Sequence, residues 1–313
     1  MITIYFMEYR LACTLRAHCY RRKSIMALKL RRISNALGTE VCDVDVSKPM
    51  SESTFGEIYQ AFLNHGILLL RNQNISREQH IEFSRRFGEL DDHKSLPRDR
   101  HPDYPELLLV TNQPNPDGTP SESRYTGRLW HTDMSYTMHP ALGSLLRCHD
   151  LPEVGGDTLF CNMTMAYDAL SDGMKKLIAD LHGIHMSGTR KINDQDAGAA
   201  RRTEVMKLNP PIAQPLVRVH PETGRKALYL GEKVKRFDGL TEEESRPLID
   251  YLNKHATQPE FVYRHQWRQH DIVVWDNRCT MHQALGDFDE TQLRHMERTT
   301  VLGTPSGYVV TNA

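Results

Sequence analysis

The sequence has little of what marks a membrane, secreted or nucleic-acid-binding chain. No purely aliphatic run exceeds four residues, as at Ile67–Leu70, far short of the roughly 20 that cross a bilayer, so no membrane partner is expected. Cysteine is sparse, at 13, 19, 42, 148, 161 and 279. With no CxxC pair and no framework spacing, a zinc knuckle and a disulfide scaffold are both excluded, and the chain reads as reduced and cytoplasmic. An excess of one charge is missing too: 39 Lys and Arg against 40 Asp and Glu leave a formal charge of −1. No global basic field exists to hold nucleic acid. Internal repeats and glycine-rich phosphate loops are also absent. Histidine, by contrast, is abundant, 16 in 313 residues, and it is the commonest metal ligand.

Residues 1–25 carry Arg10, Arg16, Arg21, Arg22 and Lys23 against Glu8. A transit peptide would be as arginine-rich, but the serine content and small-residue cleavage site are lacking. The segment reads as an extension ahead of Met26, and 26–313 as a single domain. Phe55, Ile58, Tyr59, Phe62 and Leu63 share one helical face, and Gly66 ends that helix. Ser76 and Gln79 form a capping box for a second helix running through Phe83 to Phe87, stopped by Gly88. After about residue 105 the pattern turns to strands: 107–111, 144–148, 158–161, 216–220, 227–230, 261–265, 272–275 and 296–302. Helices interrupt at about 164–182 and 241–255, with Pro247 inside the latter expected to bend it or move its start. Pro221-Glu222-Thr223-Gly224 is a hairpin turn. Two stretches read as mobile loops, 112–127 and 187–215. The fold class is mainly β with flanking helices, a sandwich or jelly roll.

His131-Thr132-Asp133 places two ligating side chains on one side of an extended segment. A second His-x-Asp, His101-Pro102-Asp103, sits among prolines and reads as a solvated loop. His282, beyond the strand 272–275 and the turn at Asp276-Asn277, supplies the third group of a two-histidine, one-carboxylate set. That set marks non-haem Fe(II) oxygenases. Arg294 and Arg298 lie four apart in a strand, on one face with Met296, while Glu297 faces the other way. Two inward guanidiniums would require acids, and a carboxylate fits their fork. Gly155-Gly156-Asp157-Thr158 is a turn entering a strand.

As an ordered set, these residues resemble the taurine/2,4-dichlorophenoxyacetate dioxygenase (TauD/TfdA) family of Fe(II)/2-oxoglutarate oxygenases. The likeness runs from about Met26 to Gly303. It rests on Phe87-Gly88-Glu89-Leu90, Trp130-His131-Thr132-Asp133, the run from Gly155 to Ser171, Phe261–His265, Trp275–His282 and Arg294–Arg298. The resemblance implies a double-stranded β-helix, or jelly roll, with Fe(II) held by His131, Asp133 and His282. It implies 2-oxoglutarate as co-substrate, its far carboxylate on Thr158 and Arg294, with O2 consumed and succinate and CO2 released. Arg298 and His93 match positions that bind the substrate. The taurine enzyme's sulfonate-holding tyrosine and asparagine fall at Leu96 and Gly127, and the texture of 160–170 and 276–279 is closer to the aryloxyalkanoate branch. The expected substrate is therefore a small anionic organic acid, an aryloxyalkanoate-like ether acid first and an alkyl sulfonate or sulfate ester second. A homo-oligomer, dimer or tetramer, is expected. Two other readings stay open: a zinc hydrolase on the same triad, which would make no succinate, and a non-catalytic jelly-roll ligand-binding protein, which would take up no oxygen.

Overall fold

The computed structural model describes residues 28–97, 99–115, 117–187 and 209–310; the reading of residues 1–25 as an extension, and most of the loop read over 187–215, lie outside them. The chain opens with β1 (Leu30–Arg32), β2 (Thr39–Val41), α1 (Glu52–His65), β3 (Ile67–Leu70), α2 (Arg77–Arg85) and β4 (Leu108–Thr111). It continues with β5 (Ala141–Asp150), β6 (Thr158–Asn162), α3 (Met163–Asp168), α4 (Asp172–Ile178), β7 (His182–His185) and β8 (Ile212–Pro215). Then come β9 (Val217–Val219), β10 (Lys226–Leu228), β11 (Val234–Phe237), α5 (Glu242–Ala256) and β12 (Val262–His265). The last are β13 (Ile272–Asp276), β14 (Thr280–Ala284), β15 (His295–Leu302) and β16 (Tyr308–Val309).

A seven-stranded sheet in the order β1-β2-β3-β13-β5-β15-β4 faces a three-stranded sheet, β12-β6-β14. Part of the space between them is apolar, filled by Leu69, Leu146, Phe160, Trp267, Trp275 and Met296. The outer face of the large sheet packs on α1 and α2 through Phe55, Phe62, Phe83 and Phe87, and a third core joins α3 and α5 to the small sheet's far side. Strand β3 is buried at all four positions, as a central strand covered on both faces must be. This is the expected β-rich fold with few helices. None of the described helices is long and apolar enough to cross a membrane.

Several boundaries differ from the sequence reading. Helix α2 ends at Arg85, capped by Arg86, before Gly88 is reached. The helix read over 164–182 is two, because Ser171 caps a new start by accepting from the Met174 amide. Pro247 lies inside α5 without shifting its start, which the Thr241–Glu244 capping box fixes. The end of the stretch read as a loop to 215 is strand β8, paired with β7. In the stretch 112–127, Ser123 bonds the Thr111 amide and carbonyl through its hydroxyl and so ties that loop to β4. Local patterns do not show such long-range partners.

Candidate active site

His131 and His282 form an isolated antiparallel bridge, exchanging N–H to O bonds of 3.0 and 2.8 Å. Residues directly opposite in such a pair project from the same face, so one pairing brings the two imidazoles to 4.1 Å between centroids. Asp133, two residues on, projects the same way. Its Oδ1 lies 3.8 Å from His131 Nε2 and its Oδ2 3.8 Å from His282 Nε2. The donor atoms of all three buried residues fall within 4.8 Å of one another. His282 is walled by Trp275, at 4.7 Å between centroids, and by Phe160.

The protonation states suit a divalent ion. His131 Nδ1–H donates to the Leu129 carbonyl at 2.8 Å, which leaves Nε2 as the lone-pair nitrogen. Burial pushes both His131 and His282 below the usual histidine range. Burial alone would raise Asp133, yet the Arg298 guanidinium and the Ser144 hydroxyl help hold its carboxyl well below the usual range. Two neutral imidazoles and one carboxylate are the donor set that leaves open positions on Fe(II).

Both arginines point inward, but they differ in partner. Arg298 Nη1 donates to Asp133 Oδ1 at 2.5 Å. Arg294 is buried and donates its Nε only to the Gly156 carbonyl, at 3.0 Å. No ion pair with a carboxylate forms at Arg294 among the described residues, and burial brings its pKa down to about 10. A buried guanidinium without an anion is costly unless a ligand completes it. Gly156, at φ +70, makes room for it: a Cβ there would stand 3.1 Å from Arg294 Nε. Thr158, two residues on, accepts from the Trp267 indole at 3.0 Å, which leaves its own hydroxyl proton for another acceptor. These donors suit the far carboxylate of a keto acid.

His93 is enclosed, its Nδ1 3.3 Å from the Pro105 carbonyl and its Nε2 3.3 Å from Thr300 Oγ1. Burial, then the neighbouring Arg298, lowers its pKa to about 4. Thr300 shares a face of β15 with Arg298, so His93 stands beside that arginine, whose charge also acts on the buried Tyr136. His101 and Asp103 form no metal group: His101 Nδ1 accepts from the Asp103 and Tyr104 amides. The loop is solvated as expected at Pro102, Asp103 and Pro105, while the His101 ring itself is buried. Glu297 turns away from the site, as expected, to pair with Arg77 and His149.

A second candidate group, His220, Asp276 and Cys279, also gathers within ligating range, but its donors are committed. His220 Nδ1 accepts from the Glu222 and Thr223 amides, so its Nε2–H donates to Asp276, and Arg278 takes both oxygens of that carboxylate. It is a structural ion-pair network. Sequence reasoning missed Ser144, Trp267 and the Leu129 carbonyl, and read Asn277 only as a turn residue. Their roles arise from cross-strand contacts that carry no local signal.

The model of the family described as "Taurine catabolism dioxygenase TauD, TfdA family" matches residues 29–300. The chain is 34% identical over 278 residues to an alpha-ketoglutarate-dependent 2,4-dichlorophenoxyacetate dioxygenase of Cupriavidus pinatubonensis, covering 85% of this chain and 94% of the relative. It is 31% identical over 283 residues to an alkylsulfatase of Acinetobacter baylyi, covering 88% and 85%. Among solved structures, AAD-2 in complex with Mn(II) and N-oxalylglycine superposes with a TM-score of 0.80 at 33% identity, over 90% of this chain and all of that one.

Proposed function

The chain belongs to the TauD/TfdA family of Fe(II)- and 2-oxoglutarate-dependent dioxygenases, and from that premise we infer that it hydroxylates a small anionic organic acid beside a heteroatom, so that the product fragments. An aryloxyalkanoate-like ether acid comes first and an alkyl sulfonate or sulfate ester second, in keeping with the activities named for the 2,4-dichlorophenoxyacetate and alkylsulfatase relatives. The observation that carries the reading is a cation, Arg298, bonded to the same carboxylate that completes the triad. An anionic substrate held there would have its nearest C–H bond beside the metal.

His131, Asp133 and His282 would hold the iron, and Arg294 with Thr158 the distal carboxylate of the keto acid. When bound, Fe(II) with 2-oxoglutarate and O2 supplies the oxidising power for C–H hydroxylation, the keto acid leaving as succinate and CO2. The protein's own part is placement and shielding. Burial keeps both imidazoles neutral and ligating, while Arg298 keeps Asp133 ionised. Arg294 and Thr158 fix the keto acid at its far end, and Phe160 and Trp275 exclude water from the His282 side. Arg298, flanked by His93 and Tyr136, would orient the substrate's acid group by a charge-assisted bond.

The test is oxygen uptake with succinate release by the iron-loaded protein over phenoxy acids, alkyl sulfonates, sulfate esters and neutral analogues. Anionic members should be consumed with stoichiometric succinate and neutral analogues spared. Turnover of the neutral analogues alone would overturn the substrate class.

A further inference from the structure

We propose that Asn277 is a positioning residue for the ligand Asp133, gripping it at both main chain and carboxylate, with Ser144 as intermediary. Asn277 lies in the turn between β13 and β14 and is fully buried. Its Oδ1 accepts from the Asp133 amide at 3.1 Å and from the Trp275 indole at 3.0 Å. Both partners are donors only, so the side-chain amide has one possible orientation. Nδ2 is thereby aimed at Ser144 Oγ, to which it donates at 2.9 Å. A hydroxyl has one proton, and with the Asn277 N–H arriving on its oxygen, that proton goes to Asp133 Oδ2, 2.7 Å away.

Every bond from the Trp275 indole to the carboxylate therefore has a fixed direction. The clamp is itself anchored, since the Asn277 carbonyl accepts from the Thr132 hydroxyl at 2.8 Å and its amide donates to Leu142 O at 3.0 Å. Ser144 is the cross-strand partner of Trp275 in the large sheet. The network thus ties the loop carrying two of the three ligands to neighbouring strands in the middle of the large sheet. In a buried network, losing one member leaves others unpaired and frees the group they held.

The inference rests on Asp133 being a ligand. It is tested by anaerobic Fe(II) titration and Co(II) d–d absorption on the full chain, with Asp133→Ala as control. Ser144→Ala removes only the final hydroxyl. Asn277→Asp keeps the shape but offers Ser144 an acceptor, which draws the hydroxyl proton away from Asp133. Both should raise the Fe(II) Kd by roughly 10- to 100-fold and shift the Co(II) bands. A packing role alone would lower melting temperature while leaving affinity and spectrum unchanged. Wild-type affinity and bands in folded Ser144→Ala overturn the proposal, whether or not the Asn277 variant folds. Unchanged affinity in Asp133→Ala would instead sink the ligand assignment beneath it.

Discussion

Arg294 and Arg298 show how far residue type alone defines a role. Both are guanidiniums on the inner wall, yet one is bonded to a metal-site carboxylate and the other has only a carbonyl. On the proposed reading that the incomplete one binds the co-substrate, Arg294→Gln should raise the KM for 2-oxoglutarate and leave that for substrate near wild type. Arg298→Gln should raise the KM for substrate more than that for 2-oxoglutarate, with some weakening of Fe(II) as well, since Asp133 loses its partner. Each change should be roughly 10- to 100-fold, the 1.5–3 kcal/mol of a hydrogen bond to a charged group. Equal loss of 2-oxoglutarate binding in both would show the division to be wrong. At the triad, anaerobic Fe(II) with 2-oxoglutarate should give a weak visible charge-transfer band, absent in His131→Ala and in His282→Ala. A band that survives either substitution removes that histidine from the ligand set.

Elements place these residues through pairing rather than through their own sequence. The turn after β13 swings the chain back so that β14 runs along β6 and meets His131, and the triad exists only because that register holds. A one-residue slip would turn His282 to the opposite face. Helix α1 is set by a shorter-range device, its Gly66 C-cap at φ +70, whose amide donates to Phe62 O at 2.9 Å. A Cβ at Gly66 would make only ordinary contact, 3.6 Å from Thr280, so Gly66→Ala tests the backbone conformation alone. It should cost about 1–2 kcal/mol, read as a lower urea midpoint, while Fe(II) affinity stays at wild type. A fall in affinity would mean that α1 and the ligand register are coupled more tightly than the contacts suggest.

For the whole molecule, buried histidine makes acid the main threat. His80 and His185 are each fully buried; burial, with further repulsion from Arg147 at the one and Arg218 at the other, pushes both from 6.5 to about 3. Folded, they stay neutral where the unfolded chain would protonate them. Their contribution is therefore complete above pH 6.5 and is lost progressively as pH falls toward 3. Each should remove about 2 kcal/mol between pH 6.5 and 5. Urea midpoints should fall steeply over that window in the wild-type chain and less steeply in His80→Leu/His185→Leu. Parallel pH profiles would place the acid sensitivity elsewhere.

The sequence by itself determined the reaction class, because His131-x-Asp133, His282 and the two arginines are chemical choices written in residue type and order. It also determined the β-rich class and the ends of helices such as α1, whose caps are local. What only the tertiary structure decided is which partner each charge finds: Arg298 on Asp133, Arg294 on a carbonyl, Asn277 on Ser144. Those contacts join β5 and β15 to the turn after β13 and to the segments before β5, β6 and β15. Hydrogen-bond partners across strands depend on register, and register is a property of the assembled sheet that no local pattern encodes.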